Sequence, residues 1–393
     1  MIGGPARLMA VLAFAAATHA QGAVAAAGDR FVPNDPAFVV ANIRQVMRDE
    51  KLRALVGAWR AEPAAEGPAV ALAEALLQRA RILREPSYVG RAEAVLAPVV
   101  GKRGASLASR RLYAETLQYR HEFAAAEDVL DEVLRAAPRD AAARAQRASV
   151  RLVRGDFPGA RADCAQLAAG GGTGSGIGIA CLAEAYAGSG KIEQAQALLR
   201  AYPLDQDSAG AAERAYLLTV RAELRERAQD LNCAIADYGA ALELAPRDDS
   251  IRAALADALA ARGDAQDAAA LLEVERPSLA LLVRSASVAA GTKRDQLRER
   301  AAAWLALETA RGDAVHNREA ALLALQAGDA GRALAAARAN FNVQRELPDV
   351  RVLARAAVAA HDLPAQQQLR DWLRSTGFTD AVAESILSGA ARG

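Results

Sequence analysis

Residues 141–160 read AAARAQRASVRLVRGDFPGA, and this stretch contains the features that decide the fold. Ala148 and Ala160 stand twelve positions apart, on either side of a Gly155-Asp156 pair. Glycine accepts the left-handed backbone that ends many helices, and aspartate caps the start of the following helix. The stretch therefore predicts two antiparallel helices joined by a tight turn, with alanine where the helices come closest.

The same pattern recurs at intervals of about 34 residues, which indicates a repeat architecture. Alanine fills 102 of the 393 positions, so some matches arise by background, but fifteen matches in sixteen exceed it. The units begin at Ala73, Leu107, Ala141, Gly176, Ala215, Asp249, an irregular point near Val283, Ala314 and Leu347. Their eighth residues are Ala80, Ala114, Ala148, Ala183, Ala222, Ala256, Ala321 and Ala354. Their twentieth residues are Ala92, Ala126, Ala160, Ala195, Ala234, Ala268 and Ala333, with Gln366 as the exception.

Larger apolar residues accompany these alanines and are expected to fill the seam between the paired helices. Alanine favours helices, whereas the aromatic residues that favour sheets make up only 4% of the chain. The sequence therefore predicts an all-α fold, an α-solenoid of antiparallel helix pairs. In a solenoid each repeat contacts only its neighbours, so we expect a chain lacking residues 141–209 to stay folded. The fillers are Val89, Phe123, Phe157, Ile192, Leu231 and Leu363 at position seventeen, and Leu96, Leu130, Leu199, Tyr238 and Leu272 at position twenty-four.

This pattern resembles the tetratricopeptide repeat (TPR), which has small residues at positions eight and twenty and proline at position thirty-two. The resemblance covers residues 73–379, but tryptophan is missing at position four and proline occurs at position thirty-two only as Pro138 and Pro246. Residues 312–319 and 340–346 look like segments of exported bacterial TPR proteins of unassigned role. The resemblance implies a superhelix whose first helices line a concave groove that binds proteins.

The first twenty residues have the layout of a secretory signal peptide. Arg7 precedes an apolar run at 8–17, and Thr18-His19-Ala20 supplies small residues at the cleavage site. About ten apolar residues are too few to span a bilayer. We therefore expect a periplasmic or secreted protein without a membrane span.

The remaining sequence divides by composition and period. Asn34-Asp35-Pro36 is typical of a helix start, and Thr379-Asp380 is suited to cap a last helix from Ala381 to Ser388. The predicted division is a signal peptide at 1–20, a flexible leader at 21–33, an N-terminal helical capping unit at 34–66, the repeat solenoid at 67–380, and a C-terminal capping helix and tail at 381–393.

Three cysteines, Cys164, Cys181 and Cys233, are too few for a disulfide scaffold. Their odd number leaves at least one free or paired with another chain. Cys164 and Cys181 can meet across neighbouring helices in an oxidising compartment. The favoured interpretation is that these cysteines are small apolar fillers on helix faces.

Candidate catalytic motifs fail on spacing, so we predict no enzyme, no cofactor and no metal. The glycine-rich stretch 170–178 fits neither a dinucleotide loop nor a P-loop and is expected to be a connector, and Gly190-Lys191 falls at an inter-helix turn. His121 and His361 lie about seven repeats apart and cannot converge on one metal in an extended solenoid. An enzyme with an unrecognised site remains a less favoured alternative.

The charges balance at 48 basic and 47 acidic residues, which argues against nucleic acid or an anionic membrane as a partner. The predicted function is an exported scaffold that binds a protein or an extended peptide, and the expected partner is another cell-envelope protein. The alternative is a component of an envelope export machine that binds a small ligand or a polysaccharide. Such grooves are expected to contain more stacking aromatic residues than this chain has.

The resemblance also implies which residues face the groove. Its middle is expected to be acidic and its C-terminal end basic. The three arginines at that end are expected to lie close together and to repel unless carboxylates of a partner offset them. Replacing all three by alanine should then weaken association with little effect on melting temperature. The residues are Arg81, Arg111, Glu115, Tyr119, Glu184, Glu223, Glu226 and Asp257, followed by Arg318, Arg351 and Arg355.

A second candidate surface is a polar cluster in an alanine-rich part of the chain. Asn340 and Gln344 are four positions apart and so share a helix face. Partner binding and structural capping explain this cluster equally well. Its members are His316, Arg318, Glu319, Asn340, Gln344, Arg345 and Glu346.

Overall fold

The computed structural model describes residues 50–83, 87–170, 175–202, 210–311 and 316–389. Within these ranges every regular element is a helix and no strand is present, so the predicted all-α fold class is confirmed. The predicted signal peptide, the leader and the first part of the capping unit lie outside the described residues.

The chain divides into two compact bodies between Tyr113 and Ala114, a boundary that falls inside one helix and within the predicted solenoid at 67–380. The described N-terminal body contains α1 (Glu50–Ala61), α2 (Glu66–Leu83), α3 (Ser87–Val100) and the start of α4 (Leu107–Tyr119). The C-terminal body continues with α5 (Phe123–Ala136), α6 (Ala141–Arg154), α7 (Phe157–Ala169), α8 (Ser175–Gly188), α9 (Ile192–Ala201), α10 (Ala211–Arg227), α11 (Leu231–Leu244), α12 (Asp249–Arg262) and α13 (Ala265–Leu271). It ends with α14 (Leu279–Val288), α15 (Gly291–Arg311), α16 (Asn317–Gln326), α17 (Ala330–Val343), α18 (Leu347–Ala359), α19 (Leu363–Thr376) and α20 (Ala381–Ser388).

Consecutive helices pack in pairs along the seams that the repeat predicts. The alanines at position eight are at most 6% exposed, and those at position twenty are fully buried. Gln366, which replaces the last of these alanines, is also buried, and its Nε2 donates a hydrogen bond to the Ala357 carbonyl at 3.3 Å. The larger side chain is thus tolerated because its amide finds a backbone partner in the facing helix.

In seven repeats the turn inside the helix pair has a left-handed residue at position fifteen, whichever residue type occupies it. Position fifteen has a positive φ in seven repeats, and only four of these residues are glycine. The left-handed region is unfavourable for other residue types, so the repeat geometry imposes this conformation on the remaining three. The seven residues are His121 (φ 60°), Gly155 (77°), Gly190 (71°), Gln229 (61°), Gly263 (103°), Gly328 (75°) and His361 (52°).

Helices α7 and α8 approach each other closely. A Cβ on Gly178 would stand 2.3 Å from the Ala168 backbone nitrogen, so only glycine fits there. The same two helices are joined by a disulfide between Cys164 and Cys181. The interpretation of both cysteines as free apolar fillers is therefore wrong, while Cys233 is free and exposed. Part of the predicted connector, from Ser175 onward, is helical.

Distant repeats also pack against each other within the C-terminal body. One continuous hydrophobic core joins buried residues of α6 to α10 with buried residues of α16 to α20. A backbone hydrogen bond crosses this contact, in which the Arg345 N–H donates to the Val153 carbonyl at 2.7 Å. The Arg345 guanidinium adds a hydrogen bond to the Arg154 carbonyl at 3.0 Å. We call this contact the closure.

Four aromatic side chains form the centre of the closure. Phe157, at the start of α7, lies 6.4 Å from Trp372 and 6.1 Å from Phe378, measured between ring centroids. Trp372 also contacts Phe341 at 5.1 Å and Phe378 at 5.3 Å. Beside them Gly190 and Gly377 meet, and a Cβ on Gly190 would stand 2.2 Å from the Gly377 carbonyl oxygen.

The expectation that distant repeats make no contact is therefore wrong. Residues 141–209 include Val153, Phe157 and Gly190, so removing them would remove half of the closure. The nearest-neighbour description of solenoid stability does not apply to this body as a whole.

We predict that Phe378→Ala lowers the free energy of unfolding by about 3–5 kcal/mol, because it leaves a cavity in the closure. The matched control is Leu363→Ala. Leu363 is 70% exposed, so the prediction that it fills the seam is wrong and its loss should change stability by less than about 0.5 kcal/mol. Urea denaturation followed by circular dichroism measures both. Equal effects of the two substitutions would contradict the assigned role of the closure.

Candidate protein-binding face

The acidic residues predicted for the middle of the groove lie on the first helices of three repeats. Glu184 is on α8, Glu223 on α10 and Asp257 on α12. Glu184 accepts a hydrogen bond from the Tyr216 hydroxyl at 2.8 Å, and Asp257 is bound by the guanidinium of Arg284 at 2.8 Å. These carboxylates are therefore already engaged by groups of the same chain.

Arg227 is the cation around which the acidic residues gather. Its electrostatic neighbours include Glu223, Glu184 and Asp380. Its guanidinium stacks over the Phe378 ring at 4.1 Å and donates to the Ala187 carbonyl at 3.1 Å. Burial lowers the pKa of Arg227, although the nearby carboxylates act in the opposite direction. The acidic middle of the groove is thus matched by an arginine that the sequence analysis missed.

Arg351 joins the acidic middle of the groove to the C-terminal repeats. Its guanidinium binds Asp380 through two hydrogen bonds at 2.7 and 2.9 Å and also contacts Glu226, on α10. Glu226 accepts a further hydrogen bond from the Tyr238 hydroxyl at 2.9 Å. Burial opposes ionisation of Arg351, but the two carboxylates raise its pKa above the ordinary value. This ion pair fastens the two halves of the closure.

Arg318 is held by a different pair of carboxylates. Its Nε donates to Asp349 at 2.5 Å, and its Nη2 donates to Glu346 at 2.8 Å. Asp349 is fully buried and also accepts from Asn340 Nδ2 at 2.6 Å and from the Glu346 backbone N–H at 2.8 Å. Burial works against the charge of Arg318, yet these carboxylates raise its pKa.

The expected patch of three partner-seeking arginines is therefore not what the structure contains. Arg318 and Arg351 find their carboxylates within the chain, whereas Arg355 is exposed and has no hydrogen bond or ion pair to any described residue. Desolvation by its neighbours and the charge of Arg351 lower the pKa of Arg355, while Asp257 and Asp380 act in the opposite direction. Asp257 is exposed as well, so these two residues form the accessible part of the face.

The polar cluster in the alanine-rich segment serves mainly to bond helices together in this structure. Asn340 and Arg318 meet at Asp349, and the Glu346 and Asp349 groups form a capping box at the start of α18. Arg345 takes part in the closure, while Gln344 and Glu319 are buried. The structural interpretation of this cluster thus has direct support, whereas its role in partner binding is still a prediction.

The remaining predicted groove residues belong to the first two repeats of the sequence. Arg81 and Arg111 belong to the N-terminal body, where both are half-buried. Glu115 and Tyr119 lie on the part of α4 that belongs to the C-terminal body, Glu115 buried and Tyr119 half-buried.

Two histidines that are distant in sequence meet within the C-terminal body. The ring centroids of His121 and His316 are 5.9 Å apart. Burial, reinforced by the charges of His316 and Arg318, lowers the pKa of His121 to about 4. Burial also disfavours the charged form of His316, but Glu308, 2.8 Å from its Nδ1, raises the pKa of this histidine. No group of three or more His, Cys, Asp or Glu among the described residues is arranged to hold a metal ion.

An arginine–aspartate brace, which was not predicted from the sequence, occurs twice with identical spacing. Arg147 donates to Asp163 through Nε and Nη2 at 2.9 and 2.6 Å, and Arg151 adds a third bond at 2.8 Å. In the repeat that begins at Ala215 the same three bonds, at 2.8, 2.6 and 2.6 Å, join Arg221 and Arg225 to Asp237. Arginine at positions seven and eleven with aspartate at twenty-three is a signal that the sequence contains.

Solved structures of helical repeat proteins are similar to this chain at low sequence identity. No family model matches the chain, and no curated protein matches it. A TPR protein from Parabacteroides merdae has 12% identity and a TM-score of 0.39, with 72% of this chain and 98% of that chain covered. The complex of Naa15 and Naa10 bound to HypK-THB has 14% identity and a TM-score of 0.29, with 88% and 64% covered. The maize pentatricopeptide repeat protein PPR10 has 15% identity and a TM-score of 0.26, with 86% and 53% covered.

The geometry of the chain itself is that of a TPR-like helical repeat. Its helices pack in consecutive pairs, with buried alanines at positions eight and twenty and a left-handed turn residue at position fifteen. Across the described ranges, no helix is both long enough and apolar enough to cross a membrane.

We predict that the arginines of the face differ sharply in their effect on stability. Arg318→Ala leaves the buried Asp349 without its cation and should lower the free energy of unfolding by about 3–5 kcal/mol. Arg355→Ala removes an exposed, unpaired side chain and should change it by less than about 0.5 kcal/mol. Chemical denaturation of both variants tests this difference. Similar stabilities of the two would show that the Arg318 bonds contribute little.

We predict a pH effect that can be assigned to His121. The pKa of His121 is lower in the folded chain than in the unfolded chain, so the unfolded chain binds the proton first as the pH falls. The contribution of His121 to the free energy of unfolding is therefore full above pH 6.5 and is lost as the pH falls towards 4. Asparagine also tolerates a positive φ but has no proton to bind in this range. His121→Asn should therefore reduce the decrease in the free energy of unfolding between pH 6.5 and 4 by about 2 kcal/mol. Denaturation curves at pH 7, 5.5 and 4 measure the change.

His361→Asn is the matched control, because His361 occupies the same turn position and is exposed. A pH profile that His121→Asn leaves unaltered, or that both variants alter equally, would argue against this assignment.

Proposed function

We propose that this chain is an exported, non-catalytic scaffold that binds an extended segment of another cell-envelope protein. The observation that carries the proposal is the pairing state of the charged face. Its arginines and carboxylates are satisfied within the chain, except that Arg355 is exposed without a described partner beside the exposed Asp257. Because Arg284 already binds the Asp257 carboxylate, Arg355 is the charged group on this rigid face that is left to contact an acidic residue of the peptide.

The proposed location is supported by two independent features. Residues 1–20 have the pattern of a secretory signal peptide, and signal cleavage leads to an oxidising compartment in which disulfides persist. Cys164 and Cys181 form such a disulfide. The matching test is fractionation of the native cells, in which the chain should occur outside the cytoplasm with its N-terminus at Gln21.

Site-specific photocrosslinking in the native cell tests the binding face. A photoreactive amino acid at position 355 should yield one discrete adduct with a second protein. The same amino acid at position 332 is the matched control, because Arg332 is a highly exposed arginine on α17. The proposal predicts an adduct from position 355 and none from position 332. Absence of an adduct at 355, or the same adducts from both positions, would contradict it.

A further inference from the structure

A cleft of about 350 Å³ lies between the C-terminal half of α5 and one face of α6. Four arginines line it, namely Arg135, Arg144, Arg147 and Arg151, together with one carboxylate, that of Asp131. The volume is within the range of small ligand sites, which begins at about 300 Å³. An open cleft lined by four cations and one anion attracts a negatively charged group.

Two of the four arginines are occupied by structural bonds. Arg147 and Arg151 form the brace with Asp163 and extend it to carboxylates on α5, Arg147 to Asp131 at 2.7 Å and Arg151 to Glu127 at 2.7 Å. Their guanidinium groups are fixed in place by these bonds. They therefore form a rigid floor to the cleft, and their positive charge is offset by these carboxylates.

The other two arginines have donors to spare. Arg144 donates through Nη2 to the Pro138 carbonyl, but its buried Nε has no hydrogen-bond partner and stands 3.9 Å from Asp163. A buried donor without an acceptor is costly, and such a group calls for an explanation. Arg135 is exposed and makes no hydrogen bond or ion pair to any described residue.

The repeat that begins at Ala215 shows that Arg144 is not needed to build the brace. The same brace exists there, but position four is Leu218 instead of an arginine. In the helix before it, Arg200 stands at the repeat position that Asp131 occupies. Arginine recurs at position four as Arg110 and Arg252, and Arg252 donates to the Pro246 carbonyl as Arg144 does to that of Pro138. The brace and the bond of Arg144 to proline are therefore repeat features, whereas Arg135 is the cation particular to the cleft.

We propose that this cleft binds a carboxylate side chain of an acidic segment in a partner protein, gripped by Arg135 and Arg144. The proposal rests on the proposed scaffold function and names a second contact, distinct from the face at Arg355. The planar guanidinium fork matches a carboxylate through two parallel hydrogen bonds. The carboxylate of Asp131 at the cleft and the buried Asp163 favour a singly charged group over a doubly charged phosphate.

Fluorescence anisotropy with the purified full chain and a labelled hexaglutamate peptide tests the proposal. The chain should bind the peptide at low salt, and binding should weaken as salt is raised. Arg135→Gln should reduce affinity at least fivefold. Arg144→Lys keeps the charge but removes Nε and the fork, and it should also reduce affinity at least fivefold. Arg200→Gln is the matched control, an exposed arginine in the last turn of α9, and should leave affinity unchanged.

The outcomes distinguish the proposed carboxylate site from attraction by general charge and from a site for a free oxyanion. Wild-type affinity in Arg144→Lys, or equal losses in Arg200→Gln and Arg135→Gln, would show attraction by general charge and overturn the site. Displacement of the peptide by an equal concentration of inorganic phosphate would identify a free oxyanion as the ligand and also overturn it. If hexaglutamate fails to bind while position 355 still yields its adduct, the cleft proposal fails and the scaffold function stands.

Discussion

The closure between the C-terminal repeats and the turns of the central repeats is the contact on which the rest of the C-terminal body depends. Helix pairs built on alanine bury little apolar area each, because the side chain is small. The few large aromatic residues are therefore decisive where they gather, and Phe157, Trp372 and Phe378 meet at this one place. A local repeat is converted by that contact into a body with a shared core.

The closure also determines the electrostatics of the candidate binding face. Arg351 pairs with Glu226, and Arg227 lies near the other carboxylates of the acidic first helices. Asp380, near the C-terminal end, adds a carboxylate beside both arginines. The charges that the sequence assigns to a partner are thus largely neutralised within the chain. What is left accessible is specific, with Arg355 beside Asp257 on one face and Arg135 with Arg144 in the cleft.

Much of the fold follows from the sequence because the repeat is a local pattern. Alanine favours helices and glycine favours the left-handed turn, and both preferences can be seen within a single unit. The unit with Ala148, Gly155 and Ala160 is an example. His121 and Gln229 adopt a left-handed backbone conformation that their residue types disfavour. This conformation can be predicted only from their position in the repeat. The bond between Arg345 and Val153 has no local signature, since its two residues are joined by tertiary packing alone.

Hydrogen exchange at the Arg345 backbone amide tests the closure most directly. This amide lies beyond the end of α17 and donates to the Val153 carbonyl at 2.7 Å. A closed body predicts slow exchange there, comparable to that of Ala337 inside α17, and Phe378→Ala should speed exchange at Arg345 far more than at Ala337. Exchange of Arg345 at the rate of an unstructured peptide, with Ala337 still protected, would show that the repeats do not close.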